Sequence, residues 1–347
     1  MEDKFQFDVI IGNPPYQEEA KGTSDKQIYY LFMDEAYKIS PKVCFITPGK
    51  FLFDAGKTPS KWNRKMLNDE HLKVVMYEQN SAKIFPTTDI KGGVAITYRD
   101  TDKNFGKIVT FTLYNELNSI LKKVINSKYF KSIEPIIYLQ NKFNLSQLYK
   151  DFPDAENKIG SKGKEKRLTT SIFKTIPEIF SDYRDEEHDA EILGLVENVR
   201  VTKYLNSKYL DAHENFNRYK VLIPKANGSG AIGEVLSTPL VGSPLVGFTQ
   251  SFISFGSYES KFEAQNNMKY LKTRFARLML GVLKITQDNP PSKWKYVPLF
   301  DFGSNSNIDW TKSISEIDKQ LFQLFSLNDD EINFVLKRIS SMEDEEL

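Results

Sequence analysis

The sequence predicts an α/β fold followed by a mixed α+β module and a helical tail. Three observations carry that prediction. Over the first hundred residues, short apolar runs ended by Gly or Pro alternate with helix-spaced segments, the pattern of a doubly wound, largely parallel sheet. From Tyr219 the pattern changes to apolar runs punctuated by Gly228, Gly230, Gly233, Gly242 and Gly247, which suits a β-rich module with tight turns. The chain has 347 residues, 40% hydrophobic and 27% charged, enough for two domains and a tail. The expected boundaries are 1–115, 116–300 and 301–347.

Phe7-Asp8-Val9-Ile10-Ile11 is an apolar run closed by Gly12 and reads as a buried strand. Residues 26–39 place Ile28, Leu31, Phe32, Ala36 and Ile39 at helical spacing, with Pro41 as the stop. Residues 43–47 form a second strand ended by Pro48-Gly49, and its Cys44 is expected to be a buried structural thiol. A helix over 62–67, strands over 72–77 and 93–98, and a hairpin partner for the last strand over 108–113 complete the first domain. Residues 115–150 look helical and polar, and 160–167 is a charged loop. Residues 219–224 form a strand, and 263–283 is the longest helix, with Ala264, Met268, Leu271, Phe275, Leu278 and Met279 inward. Residues 309–339 read as two short helices.

The net charge of +1 is unevenly spread. Residues 201–300 hold 13 Lys/Arg against 6 Asp/Glu, and residues 301–347 hold 4 against 11. A basic segment before an acidic tail is compatible with a phosphate-facing surface. With one cysteine, no disulfide framework exists within the chain, which fits a reducing cytoplasm. The N-terminus Met1-Glu2-Asp3-Lys4 lacks an apolar signal core, and there is no apolar run of about 18 residues to span a membrane. His71, His188 and His213 are scattered and form no metal spacing, so no metal is expected.

The residues that carry chemistry are Asn13-Pro14-Pro15-Tyr16, directly after the first strand. An adenine amine is a poor nucleophile because its lone pair is delocalised into the ring. Accepting hydrogen bonds from both amine hydrogens favours the pyramidal, nucleophilic form. The Asn13 side-chain carbonyl can take one and the Pro14 backbone carbonyl the other. Pro14 and Pro15 stiffen the turn and lower the entropy cost of holding both acceptors. Tyr16 offers a stacking face for an extruded base, worth roughly 1–3 kcal/mol. Ligands of doubly wound sheets bind at the carboxyl ends of strands, where this loop sits.

The stretch Phe7 to Gln17 resembles the catalytic motif of DNA adenine-N6 methyltransferases of restriction–modification systems. Gln27-Ile28-Tyr29-Tyr30-Leu31-Phe32 resembles the helix that follows the motif and leans toward the cofactor. Residues 43–52 resemble the next strand and loop, and Gly92 to Thr97 the last core strand. The resemblance is strongest over 5–20, good to about 100 and loose beyond. It implies catalytic roles for Asn13, Pro14, Pro15 and Tyr16, and places Asn13 and Tyr30 beside S-adenosylmethionine. It also implies a partial Rossmann-like sheet lacking its first strands. The strands that carry the family's glycine-rich donor loop have no room before the motif. Gly228-Ser229-Gly230-Ala231-Ile232-Gly233 formally matches such a loop but is followed by Pro239, Gly242 and Pro244, not a helix; it reads as a tight turn. The chain therefore reads as the second half of such an enzyme, as a truncated product, one subunit of a split enzyme or an excised piece; an N-terminal half or partner polypeptide holding the donor is expected, with weak or absent methyl transfer by this chain alone.

Region 200–300 is expected to read double-stranded DNA. The candidate contacts are Lys203, Lys220, Lys225, Asn227, Lys272 and Arg274, interleaved with aromatics and placed partly along the long helix. Two alternatives are retained. One is a non-catalytic DNA-binding or specificity subunit in which the loop is a remnant. The other is a nuclease using Glu259-Ser260-Lys261, a minimal match without an acidic partner.

Overall fold

The structure, a computed structural model, describes residues 6–18, 26–53, 58–87, 90, 93–160, 165–211, 213–228, 231–284 and 287–342. Gly92, Ser229, Gly230 and parts of the expected charged loop and acidic tail lie outside the described residues. The chain divides into two compact units, Met1–Asn118 and Ser119–Leu347. No described helix is long and apolar enough to cross a membrane.

The first unit is built on strands β1 (Ile10–Gly12), β2 (Lys42–Pro48), β3 (Leu72–Glu78) and β4 (Val94–Asp100) and helices α1 (Tyr29–Ile39) and α2 (Ser60–Leu67). The order across the sheet is β1-β2-β4-β3. β1 and β2 are parallel, joined through α1 as a βαβ unit. β4 runs antiparallel to both β2 and β3. The largely parallel sheet expected from the sequence, with an antiparallel edge from a hairpin at its last strands, is thus corrected to a mixed one whose antiparallel strand, β4, is central. Val94 to Asp100 is buried at Val94, Ala95, Thr97 and Asp100, so it belongs between two neighbours. The expected hairpin partner at 108–113 is not a strand. Val109 has φ 58°, which breaks an extended run, while Ile108 and Phe111 pack on the core of this unit.

α1 forms because Tyr29, Met33 and Ala36 recur on one face and become its buried stripe. It ends where Ser40 turns extended ahead of Pro41, with the Ser40 N–H still donating to Ala36. α2 buries Trp62, Met66 and Leu67. Both helices lie with Val43, Phe45, Leu72 and Ala95 in one apolar cluster, on one face of the sheet. Cys44 points to the other face and is half-buried, contrary to the buried thiol expected.

In the second unit, β5 (Ala190–Val196) pairs antiparallel with β6 (Val199–Leu205), and β9 (Val246–Phe248) adds parallel to β5. A second sheet pairs β7 (Tyr219–Pro224) with β8 (Leu240–Gly242) and β10 (Phe252–Tyr258), and Ile137–Tyr138 extends it beyond β10. The β-rich module expected from the glycine pattern is therefore present. The single long helix is corrected to two, α4 (Lys261–Lys272) and α5 (Arg274–Gly281). Thr273 at φ −58°, ψ 150° separates them, and its hydroxyl accepts from the Ala276 N–H as the cap of α5. Helices α6 (Ile314–Leu324) and α7 (Asp329–Arg338) each begin with a capping box, Ser313/Glu316 and Asn328/Glu331. They pack on α4 and α5. Ser119 and Lys123 of α3 (Asn115–Ile125) both donate to the Glu331 carboxylate at 2.7 Å.

Candidate active site

Asn13–Tyr16 leaves the carboxyl end of β1. Gly12 lets the Phe45 ring of β2 lie close, since a Cβ there would stand 3.3 Å from it. Past the loop, Gln17–Glu18 pairs antiparallel with Lys26–Gln27, and the Ile28 N–H donates to the Tyr16 carbonyl at 3.0 Å. The loop is therefore held at both ends, by the sheet and by the entry to α1. Pro14 is buried, whereas Asn13 and Pro15 are exposed. The Asn13 side chain and the Pro14 carbonyl have no hydrogen-bond partner among the described residues. The fold fixes two acceptors side by side in sequence and satisfies neither.

Tyr16 is half-buried and rests on the apolar cluster of the first unit. Its hydroxyl is buried without a hydrogen-bond partner. Burial pushes its pKa up, and the nearby Asn13 side chain pulls it back in part, although their approach falls short of hydrogen-bond geometry. Tyr30 is half-buried, with its ring edge-on to Trp62 at 5.5 Å. Trp62 also meets Tyr29 at 6.2 Å and Phe51 at 5.3 Å. This aromatic knot fixes the first turn of α1. Trp62 was not singled out from sequence; its spacing to Met66 within an amphipathic helix was the available signal.

Four of the six expected DNA contacts are absorbed by the fold. Lys220 is fully buried, and its Nζ donates to the carbonyls of Phe216 at 3.1 Å, Ser243 at 3.2 Å and Val246 at 2.8 Å. Desolvation lowers its pKa from 10.5 to about 7. Asn227 is buried and ties a turn, donating to Val235 and accepting from the Ser237 N–H. Lys272 is buried at the end of α4. Arg274 donates to the Ile339 carbonyl at 2.9 Å and lies 3.9 Å from the buried Asp318 carboxylate. Alternating Lys and Arg near aromatics looked like a phosphate face, but the aromatics are core and these cations fasten loops to it. Lys203 is ion-paired with Asp182. Lys225 is half-buried, and its ammonium has no partner among the described residues.

Lys225 sits beside a feature the sequence reading missed. Its N–H donates to the Ser251 carbonyl at 2.8 Å, and the Ser251 hydroxyl lies 3.0 Å from that of Thr170. Thr170, Ser171 and Gln250, together with Phe173, Leu195 and Val196, line an open cavity of about 300 Å³. Lys174 and Glu197, ion-paired with each other at 2.9 Å, line it as well. The only sequence signal was the Thr169-Thr170-Ser171 run after a basic stretch.

The glycine pattern at 228–233 is filled by the protein's own side chains. A Cβ on Gly228 would meet the Glu234 carboxylate at 1.8 Å, and one on Gly233 would meet Ile339 at 2.4 Å. Both glycines have positive φ, 60° and 70°. The described residues there form a packed turn, with no cradle for a ligand. Glu259-Ser260-Lys261 is likewise structural: Glu259 pairs with Arg218, and Ser260 caps α4 in a capping box with Glu263. No cluster of potential metal ligands occurs among the described residues.

Residues 1–85 match the family described as Eco57I restriction-modification methylase. A protein described as an uncharacterized adenine-specific methylase of Mycoplasma pneumoniae is 33% identical over 94 residues, covering 26% of this chain and 22% of that protein. The solved type IIG restriction endonuclease BpuSI aligns over 97% of this chain and 55% of its own, at 13% identity and a TM-score of 0.33. The type IIL restriction-modification enzyme MmeI, in complex with DNA, aligns over 95% and 56%, at 9% identity and a TM-score of 0.33. TM-scores this low carry no structural argument. The chain spans under a quarter of the curated relative and about half of each solved structure. The resemblance to restriction–modification adenine methyltransferases, read from Asn13–Tyr16, is borne out over the segment that holds the motif.

Proposed function

We propose that this chain holds the target adenine in a site-specific DNA adenine-N6 methyltransferase of a restriction–modification system. The observation that carries the reading is the Asn13–Tyr16 loop: a clamped turn after β1 with the Asn13 amide oxygen and the Pro14 carbonyl both free to accept. A base flipped from the duplex stacks on the open part of the Tyr16 ring. Its amino group donates one hydrogen to Asn13 and one to Pro14, which localises the nitrogen lone pair for attack. Pro15 holds the turn's geometry. Tyr16 cannot act as a base, since burial raises its pKa.

S-adenosylmethionine supplies the methyl group in this reading. The described residues do not form the glycine-rich loop such a donor needs; the one formal match is a turn packed by Glu234 and Ile339. Asn13 and Tyr30 are the residues of this chain proposed to lie beside the donor, and an N-terminal half or a partner subunit is proposed to supply the rest of its site. The second unit is proposed to read double-stranded DNA. Lys225 positions it on phosphate, and the cavity rim of Thr170, Ser171 and Gln250 offers polar groups for base edges.

The test is methyl transfer from labelled S-adenosylmethionine to plasmid DNA. The purified chain alone is expected to give weak or no transfer, and addition of the donor-holding partner to restore it at adenine N6. Robust adenine methylation by the chain alone, or none when the complex is complete, contradicts the reading.

A further inference from the structure

With most of the expected DNA contacts absorbed by the core, a different set of cations in the second unit stays free. Lys142, Lys166, Arg167 and Lys225 make no side-chain hydrogen bond or ion pair among the described residues; the first three are exposed and Lys225 is half-buried. All four lie on neighbouring segments of one backbone ladder. The Phe143 N–H donates to the Lys166 carbonyl at 2.6 Å, and the Leu168 N–H to the Asn141 carbonyl at 3.1 Å. On the other side of residues 166–170, the Gln250 N–H donates to the Leu168 carbonyl at 2.8 Å. The Lys225 N–H then donates to the Ser251 carbonyl, also at 2.8 Å. Lys142 and Arg167 are bridge partners and share a face, and it is the outward one, since Phe143 and Leu168 beside them are buried. Asp211, paired with Lys142 in the ladder, is an acid on the same strip. The strip leads to the open cavity. Arg167 stands three residues from Thr170 on its lining, at most about 11 Å of chain, which matches about three phosphates along one DNA strand.

We infer that double-stranded DNA crosses the second unit along residues 166–171, with Lys142, Arg167 and Lys225 on its phosphates and Gln250 reading an adenine in the major groove. The inference rests on the DNA-reading part of the proposed function, and it names the face and one base pair. Gln250 lines the cavity, and its amide has no hydrogen-bond partner among the described residues. Its backbone is held: beside it the Thr249 N–H donates to the Leu193 carbonyl at 2.9 Å, and the Ser251 carbonyl receives Lys225. A fixed backbone lowers the entropy cost of presenting the amide. Chemistry selects the base. An amide offers one donor and one acceptor side by side, the pattern that matches adenine N7 and N6. The half-buried Leu195 and Val196 line the same cavity and offer the apolar contact that suits the thymine methyl of that pair. Lys174 and Glu197 there are paired with each other, so the Glu197 carboxylate does not stand as a bare charge against the backbone of the DNA. Phosphate contacts fix the register, and the amide supplies the sequence information.

The full chain is used to select bound duplexes from a library with a randomised core, and the bound fraction is sequenced. Affinity for the enriched duplex is then measured against salt concentration. With Gln250→Ala, preference for adenine at one position of the enriched sequence is expected to fall about 5- to 150-fold, the discrimination of one bidentate pair, with the salt slope unchanged. Gln250→Glu is expected to move that same position from adenine toward cytosine, a gain that misfolding cannot produce. Arg167→Ala is expected to weaken binding evenly across sequences and to lower the salt slope by about one. Loss of affinity spread evenly over all positions in Gln250→Ala, an unmoved preference in Gln250→Glu, or an unchanged slope in Arg167→Ala overturns the inference. So does polyglutamate that displaces the wild type as well as the enriched duplex does. A chain that selects a sequence without regard to Gln250 leaves the adenine-holding reading of Asn13–Tyr16 standing. A wild-type chain that enriches no sequence sinks the DNA-reading part of the proposed function together with this inference.

Discussion

Lys220 gives the second unit a pH-dependent stability that one substitution removes. The ammonium is completely buried, and only backbone carbonyls of Phe216, Ser243 and Val246 receive its hydrogens. Desolvation takes its pKa from 10.5 to about 7. The unfolded chain thus keeps the proton between pH 7 and 10.5, where the folded chain has lost it. Unfolding takes up a proton in that window, so stability rises with pH, by roughly 1.4 kcal/mol per pH unit for one proton. Across the whole window the penalty relieved is of order 5 kcal/mol, an upper value because the three carbonyl acceptors recover part of it. In Lys220→Met the charge is gone and the side-chain volume is kept. Phe216 and Ser243 retain backbone donors from Leu245 and Val246. Urea unfolding at pH 7.5, 8.5 and 9.5 measures the difference. The wild type is expected to gain stability relative to Lys220→Met at each step. Parallel pH profiles for the two proteins refute a buried, weakly basic Lys220.

Other outcomes separate structural cations from DNA contacts. Lys225→Ala is expected to weaken DNA binding evenly across sequences and to lower the salt slope by about one. Arg274→Ala is expected to leave that slope unchanged and to cost roughly 1.5–3 kcal/mol in urea unfolding, because it strips the Ile339 carbonyl of a charged donor and the buried Asp318 of a neighbouring cation. Gly233→Ala forces a Cβ into Ile339 at a φ of 70°, and a loss above about 1 kcal/mol is expected by thermal unfolding. Tyr16→Phe removes a buried hydroxyl that has no partner, so stability is expected unchanged or higher and methylation preserved. Tyr16→Ala removes the stacking face, and methylation by the complete enzyme is expected to fall about tenfold or more.

The sequence made the motif legible because strand, glycine and double proline are local signals with local consequences. β1, α1 and β2 follow each other as their periodicity indicates, and the loop between them is where strand-end chemistry belongs. Strand direction was less legible. β4 is central because β2, distant in sequence, pairs with it on one edge while its chain neighbour β3 takes the other. Side-chain destination was least legible. Lys220, Lys272 and Arg274 have the spacing of a basic face, yet Lys272 is buried, and Lys220 and Arg274 end on the carbonyls at 216, 243, 246 and 339 brought in by other segments. Thr273 looked like part of one helix, since a single extended ψ leaves the apolar periodicity on either side intact.

The most direct test of the account is Asn13→Ala in the complete, partner-bound enzyme. Asn13 is exposed and unpartnered, so the substitution is expected to change stability by less than about 0.5 kcal/mol and to leave DNA affinity unchanged. Losing one of two fixed acceptors at the reacting amine is expected to slow methyl transfer roughly 100- to 1,000-fold. Single-turnover methylation at the wild-type rate, with DNA bound as before, contradicts the claim that this loop grips the adenine.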